Sequence, residues 1–219
     1  MFKSIFRPEG LVWSMLNTIT DVLVLSLLWC TCSLPLLTLG AASTALYDAV
    51  AHGIRNAEGG VYRRFFRTFR RELKTSLGTT LLWGGILALY VYVLALLDSL
   101  APGDTKLTLL AGAYRVLMLL PLSAATWSAV LLSRFTFGFR ELVITSVRFL
   151  PAHLIASAVL GGVTWLCVWF CANYALGLTF VPALMALGWT LPAEAVFQKH
   201  GGGLTAPKPE ADVPPEPSE

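Results

Sequence analysis

Four cysteines, Cys30, Cys32, Cys167 and Cys171, are the first residues to ask for chemistry. Cys167 and Cys171 stand four apart, a spacing that puts two thiols on one helix face and could serve a redox pair or part of a metal site. No CxxC occurs and no histidine stands beside them, so packing as small apolar groups is the preferred reading. Asp21, four residues after Asn17, and Arg115 are ionisable groups at or inside apolar runs. Such groups in a membrane are commonly paired and functional, which makes Asp21 and Arg115 a candidate pair. The plainer alternative is preferred: Arg115 snorkels to the interface and Asp21 marks a helix start. His153 and Glu194 could carry protons, but each stands alone near a helix end.

The densest cluster is Val61-Tyr-Arg-Arg-Phe-Phe-Arg-Thr-Phe-Arg-Arg-Glu-Leu-Lys74. Tyr62, Phe65, Phe66, Phe69 and Leu73 recur at helical spacing, while Arg63, Arg64, Arg67, Arg70, Arg71 and Lys74 fill most other positions. That pattern predicts an interfacial helix with its aromatic side in the acyl boundary and its basic side at anionic headgroups. The cluster is a candidate docking site for lipid or a partner, set against a generic topology anchor. No phosphate-binding, dinucleotide-binding, zinc-protease or serine-hydrolase motif is present. The expectation is therefore no catalytic residues, no metal, no cofactor and no enzyme.

The elements that hold these residues are apolar helices. Hydrophobic residues make up 56% of the 219 and charged residues 13%, against roughly 25% charged in soluble domains. Mean hydropathy is +0.68. Val22 to Tyr47, Ser76 to Leu97 and Val116 to Ser133 carry no Asp, Glu, Lys or Arg, and from Phe149 to Ala193 only His153 is ionisable. At about 20 apolar residues per crossing, the chain is an all-α polytopic membrane protein with about five spans. They fall near residues 17–39, 77–97, 107–132, 153–176 and 177–196. Residues 1–200 form one helical membrane domain. Residues 201–219, with five prolines and four acidic residues, are expected to be a disordered tail. Ala41 to Ile54 reads as a short helix, too polar to span easily, whose small residues suit close packing. Gly161, Gly162, Gly177 and Gly188 are expected to serve helix packing too.

Residues 55–74 carry seven basic residues, 134–148 three and the C-terminal region two; Lys3, Arg7, Lys106 and Arg115 make up the rest. With five crossings the larger set falls on one side, so the C-terminus is expected in the cytoplasm and the N-terminus outside. Asp21 and Arg115 then share the outer side. Lys3 and Arg7 oppose this rule, which keeps a four-crossing alternative open, with the first helix lying on or re-entering the membrane. The net charge of +3 flanks spans, so it points to anionic lipid rather than nucleic acid.

The run Ser33-Leu-Pro-Leu-Leu-Thr-Leu-Gly-Ala-Ala-Ser-Thr-Ala-Leu-Tyr47, preceded by Asp21 and Trp29, resembles the YesL-like family of bacterial membrane proteins. A Gly-Gly turn, Phe65-Phe66-x-x-Phe69-Arg-x-x-x-Lys74, Arg134-Phe135 and Arg148-Phe-Leu-Pro151 follow at similar spacing. The resemblance covers roughly residues 1–200 and excludes the tail. It departs at Thr136-Phe137-Gly138-Phe139, where family members are polar. It implies a multi-pass protein of the bacterial cell membrane with no defined molecular activity. It also implies an accessory or regulatory role beside carbohydrate uptake, with a sugar-uptake permease or another membrane protein as partner. The alternative is a small transporter or channel in its own right, for which Asp21, Arg115 and Asn173 are the only polar candidates.

Overall fold

The computed structural model describes residues 11–55, 60–100 and 104–199, and the regular structure among them is entirely helical. Lys3, Arg7, the expected turn and loop at 56–59 and 101–103, and the expected tail at 201–219 lie outside the described residues.

The helices pair into three antiparallel hairpins. In the first, α1 (Leu11–Ser33) reverses through a 3₁₀ turn at Leu36–Thr38 into α2 (Leu39–Ala49). Pro35 takes an extended conformation there; it has no N–H to continue α1 and pushes the preceding residue out of helix. Trp29 Nε1 donates to Ser43 Oγ across this hairpin at 3.2 Å. In the second, α3 (Val61–Leu100) runs against α4 (Thr105–Leu117) and α5 (Leu119–Arg134). The Asp104 carboxylate caps α4 by accepting from the Lys106 N–H at 2.8 Å. The break at Met118 follows from Pro121, which has no N–H to offer Leu117. Trp83 Nε1 donates to Ser128 Oγ at 2.9 Å between the arms. A connector, α6 (Phe139–Ala152), leads to the third hairpin. Here α7 (Leu154–Asn173) turns through Ala175–Thr179 into α8 (Val181–Lys199). Trp189 Nε1 donates to Thr164 Oγ1 at 3.0 Å across it.

Two helices are enclosed by the rest. In α2 every residue from Ala41 to Ala49 is buried, as the small side chains there lead one to expect. In α5 nearly every residue from Pro121 to Ser133 is buried. Gly161 makes the approach of α7 to α5 close: a Cβ on it would sit 2.2 Å from Ser123 Oγ. Gly188 likewise faces Val163, whereas Gly162 faces open space and Gly177 meets Phe170 of its own hairpin.

The structure corrects the expected layout in two places. The basic segment is not a separate interfacial helix. It is about the first four turns of α3, a single unbroken helix of 40 residues. Part of its aromatic side packs on protein: Phe65 is fully buried in a cluster with Leu25, Leu46, Val50 and Ala183, and Phe69 packs against it, while Tyr62 and Phe66 stay exposed. The α1–α2 hairpin supplies the apolar surface that an isolated helix would have sought in the bilayer.

The first helix also does not start at the end of the bundle opposite the start of α3. Tyr62 at the start of α3 donates to Asp21 Oδ1 at 2.5 Å, so α1 enters from the same end as α3. The hairpin then closes beside the middle of α3, where the Gly40 N–H donates to Thr80 Oγ1 at 3.1 Å. Asp98 lies about 27 Å farther along α3 at ~1.5 Å per residue. Among the described residues three helical stretches are long and apolar enough to cross a membrane, Val61–Leu100, Thr105–Arg134 (α4 with α5) and Leu154–Asn173, with Asn17–Ser33 a shorter apolar helix.

Candidate functional site

The open ends of the three hairpins converge, and buried charge collects where they meet. Asp48, near the end of α2, accepts from Thr68 Oγ1 at 2.6 Å and from Arg64 Nε at 3.3 Å. His52 Nδ1 stands 3.2 Å from its other oxygen. Burial by itself would raise the Asp48 pKa. Hydrogen bonds from His52 and Thr68 and the Arg64 charge outweigh it and hold the carboxyl below its ordinary value. Glu194 of α8 is 1% exposed. It pairs with Arg134 at the end of α5, and Tyr47 Oη donates to it from 3.5 Å. The Arg134 guanidinium also lies 4.8 Å over the Phe197 ring. Glu72, also buried, pairs with Arg71. Each of these acids is neutralised where it is desolvated, the condition under which a buried charge is tolerated.

The candidate residues from the sequence therefore divide. Arg64 is half-buried against Asp48, and Arg71, though exposed, is taken up by the neighbouring Glu72. Arg63, Arg67, Arg70 and Lys74 are exposed and have no partner among the described residues. They recur at i, i+4, i+7 and i+11, so α3 presents them as one outward stripe. Asp21 and Arg115 are not brought together. Asp21 meets Tyr62 at the open end, whereas Arg115 Nη2 donates to both Asp98 oxygens at 2.6 and 2.8 Å near the far end of α3. Asn173 donates to the Trp169 carbonyl at 2.7 Å within its own helix. Glu194 is an interior ion partner, not the interfacial residue its place near a helix end suggested. The aromatic loop after Arg134 also finds its contacts here. Phe139 packs on Gly78, where a Cβ would come within 2.8 Å of its ring, and Phe135 meets Phe197 at 6.1 Å.

Away from this charged layer the interior polarity is of another kind. Trp29, Trp83, Trp127 and Trp189 each donate an indole N–H to a serine or threonine on another helix. The acceptors on α5 and α7 donate in turn to backbone carbonyls: Ser128 to Ala124 and Thr164 to Leu160, four residues back, and Ser157 to Phe149 and Leu150 of α6. The hydroxyls are thus satisfied internally. A cavity of about 740 Å³ lies between the closed ends of the first and third hairpins and the shaft of α3. That is within the range of small-ligand sites, roughly 300–1,000 Å³. Its walls are apolar with Ser43, Thr79, Ser128 and Thr164 among them, and Asp21, Arg115 and Asn173 are not part of it. Cys167 and Cys171 line it as free thiols. Among the described residues no group of three or more His, Cys, Asp or Glu could hold a metal.

Sequence reasoning passed over this layer and the indole–hydroxyl pairs. The available signal was acids closing apolar runs, Asp48 and Glu194, and hydroxyls kept inside one, Ser123, Thr126 and Ser128. In lipid such groups must turn inward and find partners.

Residues 22–94 match a family model described as a protein of unknown function, DUF624. This is consistent with the resemblance drawn from the same stretch, and covers α1, α2 and most of α3. No curated protein and no solved structure matches the chain.

Proposed function

We propose that this chain is an accessory or regulatory membrane protein, acting by docking at its open end instead of by catalysis. The observation that supports this is how charge is sorted there. The buried acids Asp48, Glu72 and Glu194 are all partnered within the bundle, while Arg63, Arg67, Arg70 and Lys74 face outward without a partner among the described residues. The inner set holds three hairpins together and the outer set is left for an anionic surface. The open end, and with it the end of α8, faces the cytoplasm in this reading. Lys3 and Arg7 precede a helix that enters from that end, so they now agree with the charge rule instead of opposing it.

The link to carbohydrate uptake comes from the family resemblance, and a sugar-uptake permease is the partner it suggests. The transporter alternative needs a polar path, and its three candidate residues lie at separate places, none on the cavity. Crosslinking in the native membrane followed by purification tests the accessory reading. Stoichiometric recovery of an uptake permease subunit supports it. Consistent recovery of the chain alone contradicts it.

A further inference from the structure

The outward stripe of α3 does not end at Lys74. Continuing the same helical spacing leads to Leu81, Gly85 and Ala88, and these, with Gly84, form the α3 rim of the cavity. Four cations and the mouth of an apolar cavity therefore lie on one face of one unbroken helix. The change from charged to charge-free sequence falls between them, at Lys74 and Ser76. From Lys74 to Leu81 is about 10 Å along the axis, comparable to the roughly 5–7 Å of polar headgroup region on each side of a bilayer. The rim is open to the surroundings: Leu81 is 61% exposed and Leu36, across the mouth, 77%.

Gly84 and Gly85 add an independent observation. Both stand inside a helix, where glycine costs about 0.5–1 kcal/mol relative to alanine. Packing gives no reason for either, since a Cβ on each would meet nothing within 4 Å. Both line the cavity, so a side chain at either would take up space at its mouth. The interior hydroxyls and indoles are already hydrogen-bonded to one another. The cavity thus presents satisfied, mainly apolar walls suited to a hydrocarbon chain and offers no charged group to a headgroup.

Resting on the docking role proposed above for the stripe, we infer that this face binds one anionic phospholipid. Its phosphate lies on Arg70 and Lys74, with Arg67 beyond them. One acyl chain passes Leu81 and enters the cavity over Gly84 and Gly85. Neither half of the site suffices: the stripe alone would take any anion, and the cavity alone would take any chain.

Native mass spectrometry of the purified full chain in detergent, with phosphatidylglycerol or phosphatidylcholine added, reads this directly. The expected result is one retained phosphatidylglycerol, favoured about tenfold or more over phosphatidylcholine, as befits about 1 kcal/mol for each of two cations near an anionic headgroup. Arg70→Gln with Lys74→Gln should abolish the preference. Gly85→Leu, whose Cβ meets no protein atom, should fill the mouth and abolish retention while the melting temperature is kept; Gly85→Ala should weaken it and serves if the leucine variant does not fold. Equal retention of the two lipids by the unaltered chain overturns the inference. So does undiminished retention by the folded Gly85 variants, or a native complex in which a partner protein covers Arg70 and Lys74 with no lipid held. Loss of lipid binding alongside recovery of an uptake subunit sinks this site alone. Lipid binding by a chain always recovered alone sinks the accessory role alone.

Discussion

The open end of the bundle and its middle both bury polar groups, and they do so by different means. At the open end the buried groups are ions. Asp48, Glu72 and Glu194 each depend on a cation from elsewhere in the chain or from a neighbouring position. In the middle they are hydroxyls and indoles, and the hydroxyls have backbone carbonyls to fall back on, as Ser128 and Thr164 do within their own helices. An ion that loses its partner in a low-dielectric site has no such refuge. The open end should thus be specific and fragile, and the middle forgiving.

The contrast is broken most severely at Glu194. Arg134→Leu or Glu194→Leu alone should cost about 3–5 kcal/mol, because each leaves one buried charge bare. The double variant should recover much of that loss. Unfolding in bicelles measures both, and single variants costing under about 1 kcal/mol would end the distinction between the two regions.

Acid should act on the open end through Asp48. Its folded pKa is lowered, so the stability it contributes is present above its ordinary value, near ~3.9, and is lost as pH falls through the lower folded value. A melting series from neutral to about pH 3 should show this loss, and Asp48→Asn should remove that part of the acid dependence.

In the middle, shape should matter more than partners. Gly161→Ala places a methyl against Ser123 and should cost about 1–3 kcal/mol. Gly162→Ala, next in the chain but facing open space, should be neutral or slightly stabilising. Equal effects of the two would mean that α5 and α7 do not approach as described.

The smallest effect belongs to the indole–hydroxyl pairs. A double-mutant cycle with Trp83→Phe and Ser128→Ala should give a coupling near ~0.6 kcal/mol, the average for such bonds in membrane bundles. A coupling as large as that of Arg134 with Glu194 would erase the contrast.

Much of the helical content could be read from the sequence, because charge-free runs are a direct record of burial in lipid or protein. The breaks at Pro35 and Pro121 and the cap at Asp104 follow from local chemistry. What could not be read was partnership. Asp48 finds Thr68, Glu194 finds Arg134 and Asp21 finds Tyr62, pairs set by how three hairpins pack and not by any spacing. The same limit misled the basic helix: its amphipathic pattern is real, but an apolar face cannot say whether lipid or Leu25 and Leu46 will cover it. The stripe at Arg63, Arg67, Arg70 and Lys74 was visible as charge. Its separation from Arg64 and Arg71 required knowing which side α2 occupies.

The arrangement rests on the first hairpin entering and leaving at the end where α3 begins and α8 finishes. Single cysteines at Thr18, Thr105 and Lys199, in a chain with its native cysteines replaced, can be labelled by a membrane-impermeant maleimide from either side of sealed vesicles. The expected result is that Thr18→Cys and Lys199→Cys label from one side and Thr105→Cys from the other. Labelling of Thr18→Cys together with Thr105→Cys, and opposite to Lys199→Cys, would contradict it.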